Sequence, residues 1–395
     1  MLFVDDEPDV LKVIEMALRR MAKEWETHFV HSGKDALALM AREPFDVVVS
    51  DMRMPEMNGA QLLNHVLRQY PRSVRIILSG YVELQDVMSC VGVAHQFLQK
   101  PCKLVDLRRC LQRVANLNSQ LQHEGLRTLA ASMPNLPSVP ALYLEMLEAI
   151  QSPNASVQRI ADVASKDPAM SAKLLQLSNS AFFGFSHEVY SVAEAVQILG
   201  VGTLQALALA VPLFSAFDRH KCPSFPIEQV WDHSAQTGAL ARRIASSHLG
   251  DAQLAEQAFA AGVLHDVGKL ILADGMPDQY AAILAAARAE SRPLFQVERQ
   301  VLRVTHADIG AYLLALWSLP FPLVEAVAYH HQPRRLQAAT FDLTGIVHVA
   351  NCLQREQSNH PDIVPSPLDM EYLNAVGVAQ HLDEWREDFR AHGAR

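Results

Sequence analysis

The chain has no excess of positive charge. Its 34 Lys and Arg residues stand against 43 Asp and Glu, a formal net charge of −9, so a broad basic surface for general nucleic-acid binding is not expected. Cysteine is sparse and has no paired pattern. Cys90, Cys102, Cys110, Cys222 and Cys352 form no CxxC and an odd set, which excludes a disulfide framework and fits reduced thiols. No positively charged leader precedes an apolar run, so no secretory signal and a cytoplasmic location are expected. Long uncharged runs are also missing, with one exception at 196–217 (VQILGVGTLQALALAVPLFSAF). On length alone it spans a bilayer. Gly200, Gly202, Gln205 and Pro212 interrupt it, however, and Ala dominates it. Two buried helical segments joined at a Gly turn explain it better than a membrane span.

What is present suits a packed globular protein, with 50% hydrophobic and 19% charged residues. A length of 395 residues calls for two or three domains. The first third alternates short apolar runs with amphipathic stretches. The runs LFV (2–4), FDVVVS (45–50), VRIIL (74–78) and HQFLQ (95–99) read as strands; 9–22, 33–42, 58–70, 83–91 and 103–122 carry helical spacing. That alternation predicts a parallel, doubly wound sheet, whose ligands bind where the carboxyl ends of the strands meet. Four strands deliver Asp5 and Asp6, Asp51, Ser79 and Lys100 to that edge. Clustered carboxylates need a cation, and oxygen-only ligands suit Mg²⁺. A lysine and a hydroxyl beside them suit phosphoryl oxygens.

The motifs VDDE, SDMRMPEMNG, LSG and KP, in this order, resemble the receiver domain of two-component response regulators over residues 1–122. The resemblance implies a five-stranded parallel sheet and a phosphoacceptor at Asp51. It implies Mg²⁺ held by Asp5, Asp6, Asp51 and the backbone carbonyl of Arg53, phosphoryl contacts from Ser79 and Lys100, and an aromatic switch at Phe97. The implied partner is a sensor histidine kinase.

Residues 103–131 read as one long helix. Leu104, Leu107, Leu111, Val114 and Leu121 fit heptad core positions, and Asn118 suits the register-fixing role in a dimer. An ordinary terminal helix is the simpler reading, with homodimerisation through 103–131 as the alternative. Residues 123–140 form the connector and close on the Pro-rich MPNLPSVP (133–140).

From 141 to 395 no alternating strand runs appear, and an all-α domain is expected. Asp167–Pro168 supplies a helix start, with Asp as cap and Pro at the first helical position. His233, His265, Asp266, His306, His330 and His331 are spread through these apolar helices, and imidazole with carboxylate suits a transition metal. Lys269 lies one turn beyond His265, where it can meet a substrate phosphate. His248, His348 and His360 read as structural.

LPSVPAL, SKDPAMSAKLLQLSNSAFFG, AVQILGVGTLQ, GVLHDVGKL, THADIGAYLLALW and HVAN resemble the HDOD family, the HD-related output domain of the HD metal phosphohydrolase superfamily. By that resemblance His233, His265 and Asp266 fall on metal-ligand positions, and Asn351 falls on the closing Asp. His306, His330 and His331 resemble the extra ligands of HD-GYP cyclic di-GMP phosphodiesterases. QPRRLQ follows His331 and no GYP-like signature does, which argues against that activity. The family implies a largely non-catalytic output. The expectation is therefore a response regulator whose output domain signals by binding another, unidentified protein. The alternative is a metal-dependent phosphohydrolase acting on a nucleotide or cyclic dinucleotide.

Overall fold

The computed structural model describes residues 1–18, 25–79, 90, 93–100, 107–108, 111–112, 124–133, 136–138, 140–152, 154–179, 188–204, 215–218, 220–336, 340–357 and 364–392. Elements are numbered along these residues.

The N-terminal region is the expected sheet. Strands β1 (Leu2–Val4), β2 (His28–Val30), β3 (Val47–Asp51), β4 (Val74–Ser79) and β5 (Gln96–Gln99) are all parallel and lie in the order β2-β1-β3-β4-β5. Helices α1 (Pro8–Leu18), α2 (Gly33–Met40) and α3 (Gly59–Gln69) make the crossovers. Alternate strand residues serve opposite faces. Phe3, Val47, Val49 and Ile76 pack with Leu11 and Ile14 on one side. Leu2, Val4, Val48 and Ile77 pack with Ala36, Leu62 and Val66 on the other. Both faces are covered, as a parallel sheet requires. The α3 start is fixed by a capping box, in which Asn58 accepts from the Gln61 backbone and Gln61 accepts from the Asn58 backbone.

Strand β2 was not among the runs read as strands. It is only three residues long and half-buried at the sheet edge, so HFV carries almost no alternation to detect. The helix expected at 83–91 lies outside the described residues except for Cys90. The long 103–131 helix, with Asn118 and most of the dimer seam, does so too at 103–106, 109–110 and 113–123.

The rest of the chain is helical: α4 (Glu124–Ser132), α5 (Pro140–Gln151), α6 (Val157–Ala164), α7 (Pro168–Ser178), α8 (Val192–Leu199), α9 (Ile227–Ile244), α10 (Ala252–Leu264), α11 (Val267–Gly275), α12 (Pro277–Ala289), α13 (Leu294–Leu302), α14 (His306–Leu316), α15 (Phe321–Tyr329), α16 (Leu343–Gln357), α17 (Met370–Ala375) and α18 (Leu382–His392). The Asp167 carboxylate accepts from the backbone of Ala169 and Met170, with Pro168 opening α7, as its sequence predicts. One small departure from an all-α domain is a parallel pair of two-residue strands, Pro137–Ser138 with Ser215–Ala216. In the uncharged 196–217 stretch, α8 stops at Gly200, whose φ of 74° suits glycine. Residues 205–214 lie outside the described residues, and no described helix is long and apolar enough to cross a membrane.

The two regions meet beneath the amino ends of β4 and β5. Arg75, on β4, is 1% exposed. It donates to the carbonyls of Val93 at 2.6 Å, Ser73 at 3.0 Å and Ala131 at 2.8 Å. His95 accepts at Nδ1 from the Arg75 backbone at 3.0 Å, so its proton sits on Nε2 and is donated to the same Ala131 carbonyl at 2.9 Å. Burial lowers Arg75 to about 9. Burial, then the Arg75 charge, keeps His95 neutral, well below the usual imidazole value. Ala131 lies in the last turn of α4, which packs on α11 and α14.

Candidate functional site

The sheet edge gathers the residues expected there. Asp5 and Asp51 are 1% and 6% exposed. Lys100 lies between them, 2.6 Å from Asp5 Oδ2 and ion-paired with Asp51. Asp5 Oδ1 also accepts from the Glu7 backbone, and Asp51 Oδ2 accepts from the Arg53 backbone at 2.7 Å. Burial raises the Asp51 carboxyl, against the opposing hydrogen bond and charge of Lys100. Burial works to lower Lys100, but hydrogen bonds to Asp5 and Asp51 prevail and raise it. Ser79 is buried at the end of β4, and its carbonyl accepts from the Lys100 backbone at 2.6 Å. Asp6 is half-buried beside Asp5. Phe97 pairs with Ile77 and packs on the apolar cluster of one sheet face. One ammonium against three carboxylates leaves excess negative charge, and the donors are all oxygens, so the crevice fits Mg²⁺.

The helical domain brings together all six expected ligand-type residues and Asn351. Its backbone geometry explains how. A Cβ on Gly268 would lie 1.9 Å from the His306 carbonyl, and Gly310 faces Gly268 across the same crossing. Only glycine lets α11 and α14 meet backbone to backbone, which sets Asp266 against His306. Gly238 and Gly262 do the same for α9 and α10, with a Gly262 Cβ falling 2.6 Å from the Gly238 Cα. That contact brings His233 to His265. The α14 start is held by a capping box between Thr305 and Asp308.

Two groups result: His233, His265 and Asp266, then His306, His330 and His331. Asp266 joins them, its Oδ2 3.3 Å from His265 Nε2 and its Oδ1 3.1 Å from His306 Nε2. The outward nitrogens are committed. Nδ1 of His265 donates to the Gly262 carbonyl at 2.6 Å, and Nδ1 of His330 to the Val327 carbonyl at 2.7 Å. Nδ1 of His306 meets Glu298 at 2.6 Å, and Nδ1 of His233 meets Gln354. Each ring therefore turns Nε2 inward, the arrangement that orients imidazole ligands. His330 Nε2 is buried with no hydrogen bond, and it faces Asp266 Oδ1 at 4.0 Å, so the donor set fits a metal. Burial opposes the Asp266 charge, but His265 and Lys269 and hydrogen bonds from His265 and His306 hold its carboxyl well below the usual range. Burial pushes His233, His330 and His331 well below the usual imidazole value, so they stand neutral. An open cleft reaches the centre, lined in part by His306, His331, Asn351, Lys269, Arg355 and Phe295.

Several participants were not foreseen. Glu298 orients His306 and is itself held by the Tyr280 hydroxyl at 3.0 Å. Arg355 reaches Asp266 Oδ2 at 3.5 Å. Lys269 contacts the same oxygen at 2.5 Å and also lines the cleft. His348 is satisfied within the fold, between the His330 carbonyl and the Asp369 backbone N–H. His248 packs edge-to-face among Phe341, His381 and Trp385. His360 lies outside the described residues.

A strand-edge acidic crevice joined to an HD-like helical domain defines a response regulator with an output domain, and comparison with known proteins agrees. The model of the HDOD domain matches residues 136–333, half of the chain, and that of the response regulator receiver domain matches 1–112. The chain belongs to the HDOD family, with a receiver domain at its N-terminal end. It is 36% identical over 125 residues to the response regulator protein PilR of Pseudomonas aeruginosa, covering 31% of this chain and 28% of that protein. It is 29% identical over 221 residues to an uncharacterised protein of Treponema pallidum, covering 55% and 42%. The chain thus spans less than half the length of these curated relatives. Among solved structures, the MmoQ response regulator of Methylococcus capsulatus matches with a TM-score of 0.50 and 23% identity, over 64% of this chain and 98% of that one. That likeness speaks to the fold.

Proposed function

We propose that the chain is a phosphorylation-controlled switch in which Asp51 takes a phosphoryl group from a sensor histidine kinase, with Mg²⁺ held by Asp5, Asp6, Asp51 and the Arg53 carbonyl. The observation that carries this reading is the Lys100 ammonium shared between the buried Asp5 and Asp51. Mg²⁺ would neutralise charge on the incoming phosphoryl oxygens. The chain's own residues do the rest: Asp51 offers the nucleophilic oxygen, while Lys100 and the Ser79 hydroxyl bind phosphoryl oxygens. Phosphorylation adds about −1.5 to −2 charges, which draws Lys100 and Ser79 onto the new group and turns Phe97. The helical domain then passes the signal to another protein without turnover of its own. Arg75 and His95 supply the mechanical link, since they sit at the other ends of the strands that carry Ser79 and Phe97.

The test is incubation of the full chain with a small acyl phosphate and Mg²⁺. The expected result is a stable phosphoryl label, lost in Asp51→Asn, together with a change in oligomeric state or partner capture. Labelling that persists in Asp51→Asn, or a label that changes neither property, refutes the switch.

A second reading, favoured by the convergence of six ligand-type side chains on one cleft, is a metal-dependent phosphohydrolase acting on a nucleotide or cyclic dinucleotide. A bound metal would supply a water of lowered pKa; His306 and Asp266 would hold the ion, and Lys269 and Arg355 would face substrate phosphate. Turnover of phosphodiester substrates by the metal-loaded protein decides it.

A further inference from the structure

The two helices that open at the polar centre, α11 and α14, also pack against the helix that meets the receiver. We propose that this pair is a lever through which the helical domain regulates the receiver in return: α11 and α14 move as one body, and their position sets how tightly the Asp51 crevice holds a phosphoryl group. The inference rests on the phosphorylation reading above and adds control in the opposite direction, from output to input.

The near end of the lever is built at the centre. Asp266 is the residue before α11, and His306 is the first residue of α14. A Cβ on Gly310 would lie 3.0 Å from the Gly268 backbone nitrogen, and one on Gly268 would lie 1.9 Å from the His306 carbonyl. Backbones packed this closely cannot slide past each other, so the two helices shift together.

The far end lies on α4. A Cβ on Gly275, the last residue of α11, would fall 2.1 Å from Leu129 Cδ1. Helix α14 packs on the same helix. Its Tyr312 is 2% exposed and lies about 9 Å along the axis from His306. Burial raises the Tyr312 hydroxyl to about 12; Arg127 of α4 opposes that shift, and Asp46, just before β3, adds to it. Tyr312 thus stands within electrostatic reach of both α4 and the receiver.

The seam beyond α4 is sensitive to position. Arg75 Nη2 and His95 Nε2 both reach the Ala131 carbonyl, at 2.8 and 2.9 Å, and stand 3.0 Å from each other. With His95 Nδ1 accepting from the Arg75 backbone, both of these nitrogens carry hydrogen. Two donors crowd one oxygen, and hydrogen bonds weaken steeply off line, so a small displacement of Ala131 changes the balance between them. Arg75 shares β4 with Ser79, and His95 lies just before β5, which runs to Lys100. The rise of a strand places Ser79 and Lys100 about 13 and 17 Å beyond the seam. Coupling between sites is reciprocal for equilibrium affinities, so a lever that the receiver can push can also push the receiver.

The experiment is calorimetric titration of the full chain with beryllofluoride, a phosphoryl mimic, at saturating Mg²⁺. Gly310→Ala inserts a methyl group at the helix crossing and is expected to change the apparent Kd by about threefold or more. In a Leu129→Ala background, which empties the contact with Gly275, the same substitution should lose most of its effect. Arg334→Gln, at an exposed ion pair of the same domain, should leave Kd at the wild-type value. Should Gly310→Ala fail to fold, as judged by circular dichroism, Thr305→Ala removes the cap that fixes the start of α14 and carries the same expectation. A wild-type Kd in the crossing variant, an effect undiminished by Leu129→Ala, or an equal effect from Arg334→Gln overturns the lever and leaves the switch standing. A wild-type chain that binds no beryllofluoride sinks the switch itself, and the lever with it.

Discussion

At the sheet edge, Asp5, Asp51 and Lys100 come from the ends of three strands and balance one another through a single shared ammonium. In the helical domain, the polar centre sits where helices cross at glycines, and its imidazoles are locked from behind by carbonyls, a carboxylate and an amide. The first arrangement can change its charge and let its partners move, because Lys100 hangs on a flexible stem and Ser79 and Phe97 lie on strand ends. The second cannot move a ligand without moving a helix. The first centre is thus built to rearrange locally and the second to stay fixed.

The strongest way to break this contrast is to loosen the helical centre. Gly268→Ala places a Cβ 1.9 Å from the His306 carbonyl, and overpacking of this kind costs about 3 kcal/mol. Urea denaturation should show that loss as a lower midpoint. An unchanged midpoint would mean that the crossing yields freely and the centre is not rigid. Lys100→Met is expected next in size, near 2 kcal/mol, below the roughly 3–5 kcal/mol of a deeply buried broken pair because Lys100 is 18% exposed on its side chain. Mg²⁺ should restore much of the loss in a thermal melt. Destabilisation indifferent to Mg²⁺ would count against a cation site there.

The smallest effect is at the junction and depends on pH. The folded state keeps His95 neutral, while the unfolded chain protonates it near 6.5. Below that pH the unfolded state binds more protons, so stability falls as acid is added. His233, His330, His331 and His348 act in the same direction and His306 in the opposite one, so the comparison is with His95→Gln, whose denaturation midpoint should fall less steeply from pH 7 to 5. Equal slopes would show that His95 contributes nothing to acid sensitivity.

The sequence makes the sheet-edge residues legible because parallel topology alone carries every strand's carboxyl end to one side. Asp5, Asp51, Ser79 and Lys100 needed no knowledge of side-chain packing. The helical ligands stood out as histidines among apolar residues, but their supports did not. Glu298, Gln354 and Arg355 look like ordinary helix-surface residues, and burial by neighbouring helices cannot be seen in a local pattern. One signal was available: Arg355 lies four residues after Asn351, on the same face of α16. Arg75 and His95 read only as strand residues, since their partner Ala131 is remote in sequence and anonymous in type.

The doubly occupied carbonyl of Ala131 has a consequence for how such chains are assembled from parts. Receivers are commonly treated as interchangeable cassettes, yet here the cassette is keyed. A substitute lacking an arginine at the position of Arg75 and a histidine at that of His95 would leave the end of α4 without its two donors. Compatibility between an input cassette and this output is thus written at the ends of β4 and β5 farthest from Asp51, where inheritance of the pair, rather than of either half, preserves the seam.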